Sequence, residues 1–287
     1  MAAVAATDNL YVYAIIEQNE KRQSEIEQDW PDTHIYDGLA IVPPIQHEII
    51  AICTPPKTHL TAAREALNRR PLGILIEKPC CRSAAEATQL LHESKAAGIN
   101  VFVNYNRRFD ARFQHIKSHY PERPEEIHIS YSRGIFNYAS HLIDLIVHWY
   151  GPVQSVKILK SADPKKIDPN PSFYLDMEAG FRVIFHGFDD LEYDLLDMVI
   201  WYRDKRIKLD AGGAEVTIET PVDSRFYTGY AHLDVQQSSI GDIGGFAECY
   251  QALSQLRYGN SSVNICNLEQ ALVTLHIIEH VLEDTRS

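Results

Sequence analysis

Short apolar runs alternate with longer polar, helix-like stretches through the first half of the chain. Residues 10–16 are apolar and aromatic and predict a strand, residues 20–30 are charged and predict a helix, and residues 34–36 predict a short strand. Residues 49–53 form a continuous apolar run, the pattern of a central strand, which Thr54-Pro55-Pro56 ends. A helix over 58–67 follows, with Ala62, Ala63, Ala66 and Leu67 on its apolar side. Residues 73–76 predict the next strand. Ser83 and Glu86 then have the spacing of a capping box, for a helix that Gly98 stops before a strand at 101–103. Such alternation predicts a parallel, doubly wound sheet.

The second half has a different rhythm. Residues 140–149 predict an amphipathic helix ending at Gly151-Pro152. Strand-like runs follow at 155–159, 177–185, 192–202, 207–209 and 215–219, with no helix between them. That succession predicts a mainly antiparallel sheet. Gly212-Gly213 reads as a hairpin turn or bulge, and Gly241, Gly244 and Gly245 as a loop and helix cap. Two helices, over 245–258 and 268–282, close the chain. The polar stretch near 110–124, punctuated by Pro121 and Pro124, marks the boundary between expected domains at 1–115 and 116–287.

A net charge of -12 leaves no excess of Lys and Arg to neutralise phosphates, which argues against a nucleic-acid partner. No apolar stretch approaches a membrane span, and the first residues lack the basic start and apolar core of a signal peptide. The five cysteines are odd in number and form no CxxC pair, which predicts a reduced, cytoplasmic protein and no zinc site built from thiols.

Chemistry concentrates at a few places. Glu77-Lys78-Pro79 follows the apolar run at 73–76, and open parallel sheets bind ligands just beyond such strand ends. A lysine there can hold a hydroxyl or a developing alkoxide; a solvated ion pair fits the same residues. His141, Asp144 and His148 share a helical face, compatible with a polar pair or a metal. His276, Glu279 and His280 match H-x-x-E-H on the last helix, a chance pattern with seven residues after it. No metal is expected.

Four segments, taken in order and spacing, carry a resemblance. They are Ile52-Cys53-Thr54-Pro55-Pro56-Lys57-Thr58-His59, Glu77-Lys78-Pro79, Asn104-Tyr105-Asn106-Arg107-Arg108-Phe109 and Asn137-Tyr138-Ala139-Ser140-His141-Leu142-Ile143-Asp144. Together they resemble signatures of the glucose–fructose oxidoreductase / inositol dehydrogenase / rhizopine-catabolism (Gfo/Idh/MocA) family of NAD(P)-dependent oxidoreductases.

The resemblance implies an α/β fold. A Rossmann-like parallel sheet domain would be followed by an α+β domain with an open, mainly antiparallel sheet. It implies hydride transfer on a hydroxyl or ketone of a sugar, sugar nucleotide or cyclitol, and a homo-oligomer formed through the open sheet. Lys78 would stabilise charge on the reacting oxygen, and His141 would accept its proton. Asn137, where most members carry Asp, would orient His141 or a sugar hydroxyl. Glu17, Thr54, Pro55, His59, Glu77 and Lys78 would flank the cofactor, with Glu17 on the adenosine ribose favouring NAD over NADP and Lys78 near the nicotinamide ribose. Tyr105, Asn106, Arg108 and Asp144 would meet substrate, although Asp144 could orient His141 instead and Arg107 or Arg108 could be a structural ion-pair partner.

The family's opening strand and GxGxxG turn find no counterpart. Residues 1–8 resemble the tail of the first helix, and residues 10–16 the second strand. Two readings follow: an enzyme read without its first strand, or a non-catalytic relative that binds carbohydrate or a partner protein.

Overall fold

The computed structural model describes residues 1–241, 244–259 and 264–283. It divides into two compact units: Met1–Asn106 with Gly245–Ala271, and Arg107–Gly244 with Leu272–Ser287. The division falls at residues 106/107 rather than 115/116, and the chain returns to the first unit at Gly245, a long-range association that local polarity does not signal.

The first unit holds α1 (Ala2–Ala5), β1 (Ala14–Ile16), α2 (Glu20–Asp29), β2 (His34–Tyr36), β3 (Ile49–Ile52), α3 (Pro56–Asn68), β4 (Gly73–Ile76), α4 (Ala84–Ala97) and β5 (Asn100–Val103). The expected alternation is present. The strand expected over 10–16 shortens to its last three residues, and α3 starts earlier than expected, because Pro56 suits the first helical turn. Ser83 Oγ accepts the Glu86 N–H at 3.2 Å, while the Glu86 carboxylate bonds Arg82 rather than the cap residue. Gly98 ends α4 at φ 70°.

β1 and β2 form a parallel pair of their own, whereas β3, β4 and β5 run parallel in a second sheet. Arg69 ties α3 to the loop before β3, bonding Glu48 at 2.9 and 2.6 Å and the Val42 carbonyl at 2.9 Å.

The second unit holds α5 (Ala111–His119), β6 (Glu126–Tyr131), α6 (Ser140–Tyr150), β7 (Val153–Lys160), β8 (Ser172–Met177), β9 (Arg182–Gly187), β10 (Leu196–Trp201), β11 (Arg206–Asp210), β12 (Glu215–Asp223) and β13 (Ala231–Ile240). These eight strands form one sheet, in the order β13-β12-β11-β10-β6-β9-β8-β7. Every neighbouring pair is antiparallel except β6 and β9, which run parallel because the β7–β8–β9 meander returns its last strand beside β6.

The single run expected at 177–185 is two strands, β8 and β9, joined by a tight turn at Gly180 (φ 81°). β13 was not expected. It is an edge strand exposed on both faces, so it carries no apolar alternation. Gly212 and Gly213, at φ 71° and 95°, make the turn between β11 and β12.

One face of this sheet is apolar. Ile127, Ile129, Tyr131, Phe173, Phe185, Met198 and Ile200 pack with Phe113 and Ile116 of α5 and with Leu142, Leu145, Ile146 and Trp149 of α6. Phe173 and Phe185 stack at 4.6 Å. The opposite face carries polar and aromatic side chains held in pairs. Arg182 lies over Tyr174 at 3.9 Å and Arg206 over Trp201 at 4.9 Å, while Glu219 bonds Arg206 and Lys208.

After β13 come α7 (Phe246–Ser254), β14 (Cys266–Asn267) and α8 (Leu268–Glu283). Gly245 caps α7, its N–H donating to Glu248 at 3.1 Å; the residues between Gly241 and Gly244 lie outside those described. α7 meets α1 through Thr7 Oγ1 and the Ala247 carbonyl at 3.2 Å, and β14 joins β5 antiparallel. α8 starts in the first unit and continues in the second, where Ile277, Ile278 and Val281 complete the sheet core.

Asp110 joins α5 to the chain beyond β13. Its carboxylate accepts the Arg112 N–H at 3.0 Å, the Arg112 guanidinium at 2.8 Å and the Gly244 N–H at 2.8 Å. Burial opposes the charge, but the bonds from Arg112 and Gly244 outweigh it and hold the pKa below the ordinary Asp value. A carboxylate depressed by folding stabilises the native state at neutral pH, and that contribution is lost as pH falls through the folded-state pKa. Replacing Asp110→Asn is therefore expected to lower the melting temperature most near pH 7. The gap from the unmodified protein should close in acid; a gap independent of pH would contradict this assignment.

Candidate functional site

Three parallel strands of the first unit end level with one another. Ile52 stands opposite Ile76, and Ile76 opposite Val103. The ladder runs one residue further: the Glu77 N–H donates to the Ile52 carbonyl at 2.9 Å, and the Asn104 N–H to the Ile76 carbonyl at 2.8 Å. The peptides after β3, β4 and β5 therefore emerge side by side. Ligands bind at this edge of an open parallel sheet. Thr54 and Pro55 are exposed there, Glu77 and Lys78 half-buried, and Tyr105 and Asn106 buried.

His59 is wholly buried. Its Nδ1 faces the Pro79 carbonyl at 2.9 Å and its Nε2 the Thr54 carbonyl at 2.6 Å. The ring clamps the chain after β3 to the chain after β4, so it positions the strand ends rather than presenting a free edge. Asn104, 3% exposed, donates from Nδ2 to Glu77 Oε1 at 2.7 Å. Its Oδ1 is buried and has no hydrogen-bond partner among the described residues. Such an orphan acceptor costs about 1–3 kcal/mol.

α7 brings further residues that a reading of local motifs misses. Burial and the Glu77 carboxylate push the Cys249 thiol up to about 12. Tyr250 is raised by burial and by Cys53, Cys249 and Glu77. Both residues lie more than 170 positions from Glu77 in the chain, so only the return of Gly245–Ala271 to the first unit brings them near it.

Glu17 directly follows β1. Its N–H bonds the Tyr36 carbonyl at 3.1 Å, and its carboxylate accepts the Asn19 N–H at 2.9 Å. The carboxylate is thus held at the end of the β1–β2 pair.

In the second unit the expected helix start is more elaborate than a simple cap. Gly134 adopts φ 97°, and its N–H donates to Asn170 Oδ1 at 2.7 Å. A Cβ added there would lie 2.0 Å from the Asp168 carboxyl carbon, so only glycine fits. The Asp168 carboxylate accepts the N–H groups of Phe136 and Asn137, each at 2.9 Å. A π-helical turn, Ile135–Ala139, then leads into α6. This arrangement sets Asn137 in the π-helical turn and His141 in the first turn of α6.

Asp144 is buried against Arg108, whose Nε and Nη2 reach its two oxygens at 2.7 and 2.6 Å. Arg108 is thus the ion-pair partner, while Arg107 bonds the Gly212 carbonyl and lies over the Phe113 ring at 5.7 Å. Burial and the Arg108 charge push His148 below the ordinary histidine value, against the opposing Asp144. The described residues bring together no group of three His, Cys, Asp or Glu side chains that could hold a metal ion, either on α6 or at His276, Glu279 and His280. No helix among them is long and apolar enough to cross a membrane.

Residues 1–105 match the family described as "Oxidoreductase family, NAD-binding Rossmann fold". Among curated relatives, the scyllo-inositol 2-dehydrogenase (NADP(+)) IolW of Bacillus subtilis is 24% identical over 206 residues, covering 63% of this chain and 57% of its own. The myo-inositol 2-dehydrogenase of Thermotoga maritima is 22% identical over 191 residues, covering 60% and 54%. The chain spans about half the length of the curated relatives it matches.

Solved structures align over nearly all of it. UDP-N-acetylglucosamine 3-dehydrogenase GnnA from Acidithiobacillus ferrooxidans superposes with a TM-score of 0.80 at 15% identity, covering 100% of this chain and 94% of that one. An oxidoreductase from Agrobacterium radiobacter, in complex with NAD+, L-tartaric acid and magnesium, gives 0.79 at 15% identity, covering 100% and 92%. At these identities the likeness is one of fold.

The Arg108–Asp144 pair yields a direct test. Removing one partner of a buried pair strands the other charge, which costs about 3–5 kcal/mol. Asp144→Asn is expected to lose stability on that scale in urea denaturation. The double change Arg108→Met with Asp144→Leu should cost clearly less than the sum of the two single changes; strict additivity would show that the pair does not act as a unit.

Proposed function

We propose that this chain, which belongs to the Gfo/Idh/MocA family of oxidoreductases, binds a nicotinamide dinucleotide at the carboxyl ends of β3, β4 and β5. There it would transfer hydride to or from a hydroxyl-bearing carbon of a sugar, sugar nucleotide or cyclitol. The observation that carries this reading is the placement of Glu77-Lys78-Pro79 at the level edge of three registered parallel strands. The fit to the cofactor is chemical: a half-buried carboxylate and an orphaned amide oxygen at that edge call for hydrogen-bond donors, which the nicotinamide and ribose groups carry. The names of the inositol and sugar-nucleotide dehydrogenases among its relatives support a polyhydroxylated substrate.

The cofactor, when bound, supplies or accepts the hydride. The rest falls to side chains. The Lys78 ammonium stabilises negative charge on the reacting oxygen. His141 takes or returns the hydroxyl proton. Asn137 bonds His141 or a substrate hydroxyl; an amide can orient an imidazole but supplies no charge to stabilise its protonated form. Arg108 and Asp144 hold each other and fix α6, which carries His141. Tyr105 and Asn106 form the buried wall after β5.

Glu17 selects NAD: its carboxylate accepts from ribose hydroxyls and repels a 2′-phosphate. NADP, named for the B. subtilis relative, is the competing choice. The polar and aromatic face of the eight-stranded sheet, with Tyr174 and Trp201 under their arginines, is the surface for a second copy in a homo-oligomer.

Titration with NADH and NADPH, followed by nicotinamide fluorescence, tests the cofactor. NADH is expected to bind more tightly, and absence of binding at millimolar concentration would overturn the reading. Assays with myo-inositol, scyllo-inositol and UDP-N-acetylglucosamine then test turnover. Lys78→Ala should lower kcat about 10²–10³-fold while leaving NADH affinity within about threefold. Cofactor binding without turnover on any polyol would favour the non-catalytic alternative.

A further inference from the structure

Asn104 is built for a partner the polypeptide does not supply. It follows β5 directly, and its N–H is committed to the Ile76 carbonyl at 2.8 Å. Its side chain is 3% exposed, and Nδ2 donates to Glu77 Oε1 at 2.7 Å. That bond fixes the orientation of the amide, because the flipped form would set two acceptor oxygens against each other. Oδ1 is therefore the atom left over, buried and without a hydrogen-bond partner among the described residues. Native proteins keep few such atoms, and those kept call for an explanation.

The surrounding chemistry narrows the ligand. The Glu77 carboxylate only accepts while ionised, and the Asn104 amide already donates to it. A phosphate would bring further acceptors and negative charge to this spot. A group carrying N–H or O–H would satisfy Oδ1 and Glu77 together.

We propose that Asn104 is a ligand-contacting residue: its Oδ1 accepts a hydrogen bond from the nicotinamide–ribose half of the dinucleotide, while its Nδ2 holds Glu77 as a second acceptor. The inference rests on the cofactor reading above and adds to it a residue and a direction of binding. The donor is either the carboxamide amine or a ribose hydroxyl, which share this chemistry.

Calorimetric titration of the full chain with NADH, ADP-ribose and ADP tests it, comparing the unmodified protein with Asn104→Leu. NADH affinity is expected to fall about tenfold or more, equivalent to ~1.4 kcal/mol or above. ADP affinity should stay within about twofold, since ADP lacks the half that meets Asn104. A fall for ADP-ribose as well assigns the donor to the ribose; a fall for NADH alone assigns it to the carboxamide. Asn104→Ser, with a side chain too short to reach both groups, should give the same selective loss and serves if the leucine variant does not fold. Equal losses for NADH and ADP, or no loss for either, would overturn the inference alone. Failure of the unmodified protein to bind NADH would remove the cofactor reading, and this inference with it.

Discussion

The level ending of β3, β4 and β5 is the constraint on which the candidate site of the first unit depends. Parallel pairing fixes the register of the strands, and two backbone bonds beyond their ends carry that register into Glu77 and Asn104. A slip of one residue would break these paired positions and the two backbone bonds beyond them. β4 is buried along its whole length, Leu75 included, so its pairing with β3 and β5 determines where a lysine and a carboxylate stand. His59 adds a second lock from α3, joining the chain after β3 to the chain after β4 through a ring with no exposed surface.

The second unit solves a similar problem by other means. α6 needs a defined start, because His141 lies in its first turn and Asn137 in the π-helical turn that leads into it. Gly134 allows the chain to bend close against Asp168, and the Asp168 carboxylate then receives two of the N–H groups that a helix start leaves over. Further along α6, the Arg108–Asp144 pair ties the helix to the segment before α5. Such a pair adds little net stability over an apolar replacement, but it resists the loss of either partner and specifies one arrangement.

Much of this was legible in the chain. Apolar runs located β3, β4 and β5, and Ser83 with Gly98 bounded α4, because those signals are local. The Lys78 and His141 motifs were visible as residue types at fixed spacing. What escaped notice depends on distant chain. β13 lacks an apolar face because it lies at a sheet edge, and the β8–β9 turn was hidden inside one apolar run. Cys249 and Tyr250 reach Glu77 only through the return of α7 to the first unit. For His59 and Arg108 the residue could be read but not its partners, since a histidine spent on two carbonyls looks no different in sequence from one that touches a cofactor.

The unfilled valence at Asn104 and the strand-end carboxylate make one physical statement: this edge of the sheet is built to receive hydrogen-bond donors. Hydrogen–deuterium exchange, read by mass spectrometry with and without saturating NADH, tests that statement most directly. Slowed exchange concentrated in peptides covering residues 77–80 and 103–106 is the result expected. Protection that spares both segments, while NADH is demonstrably bound, would contradict the account.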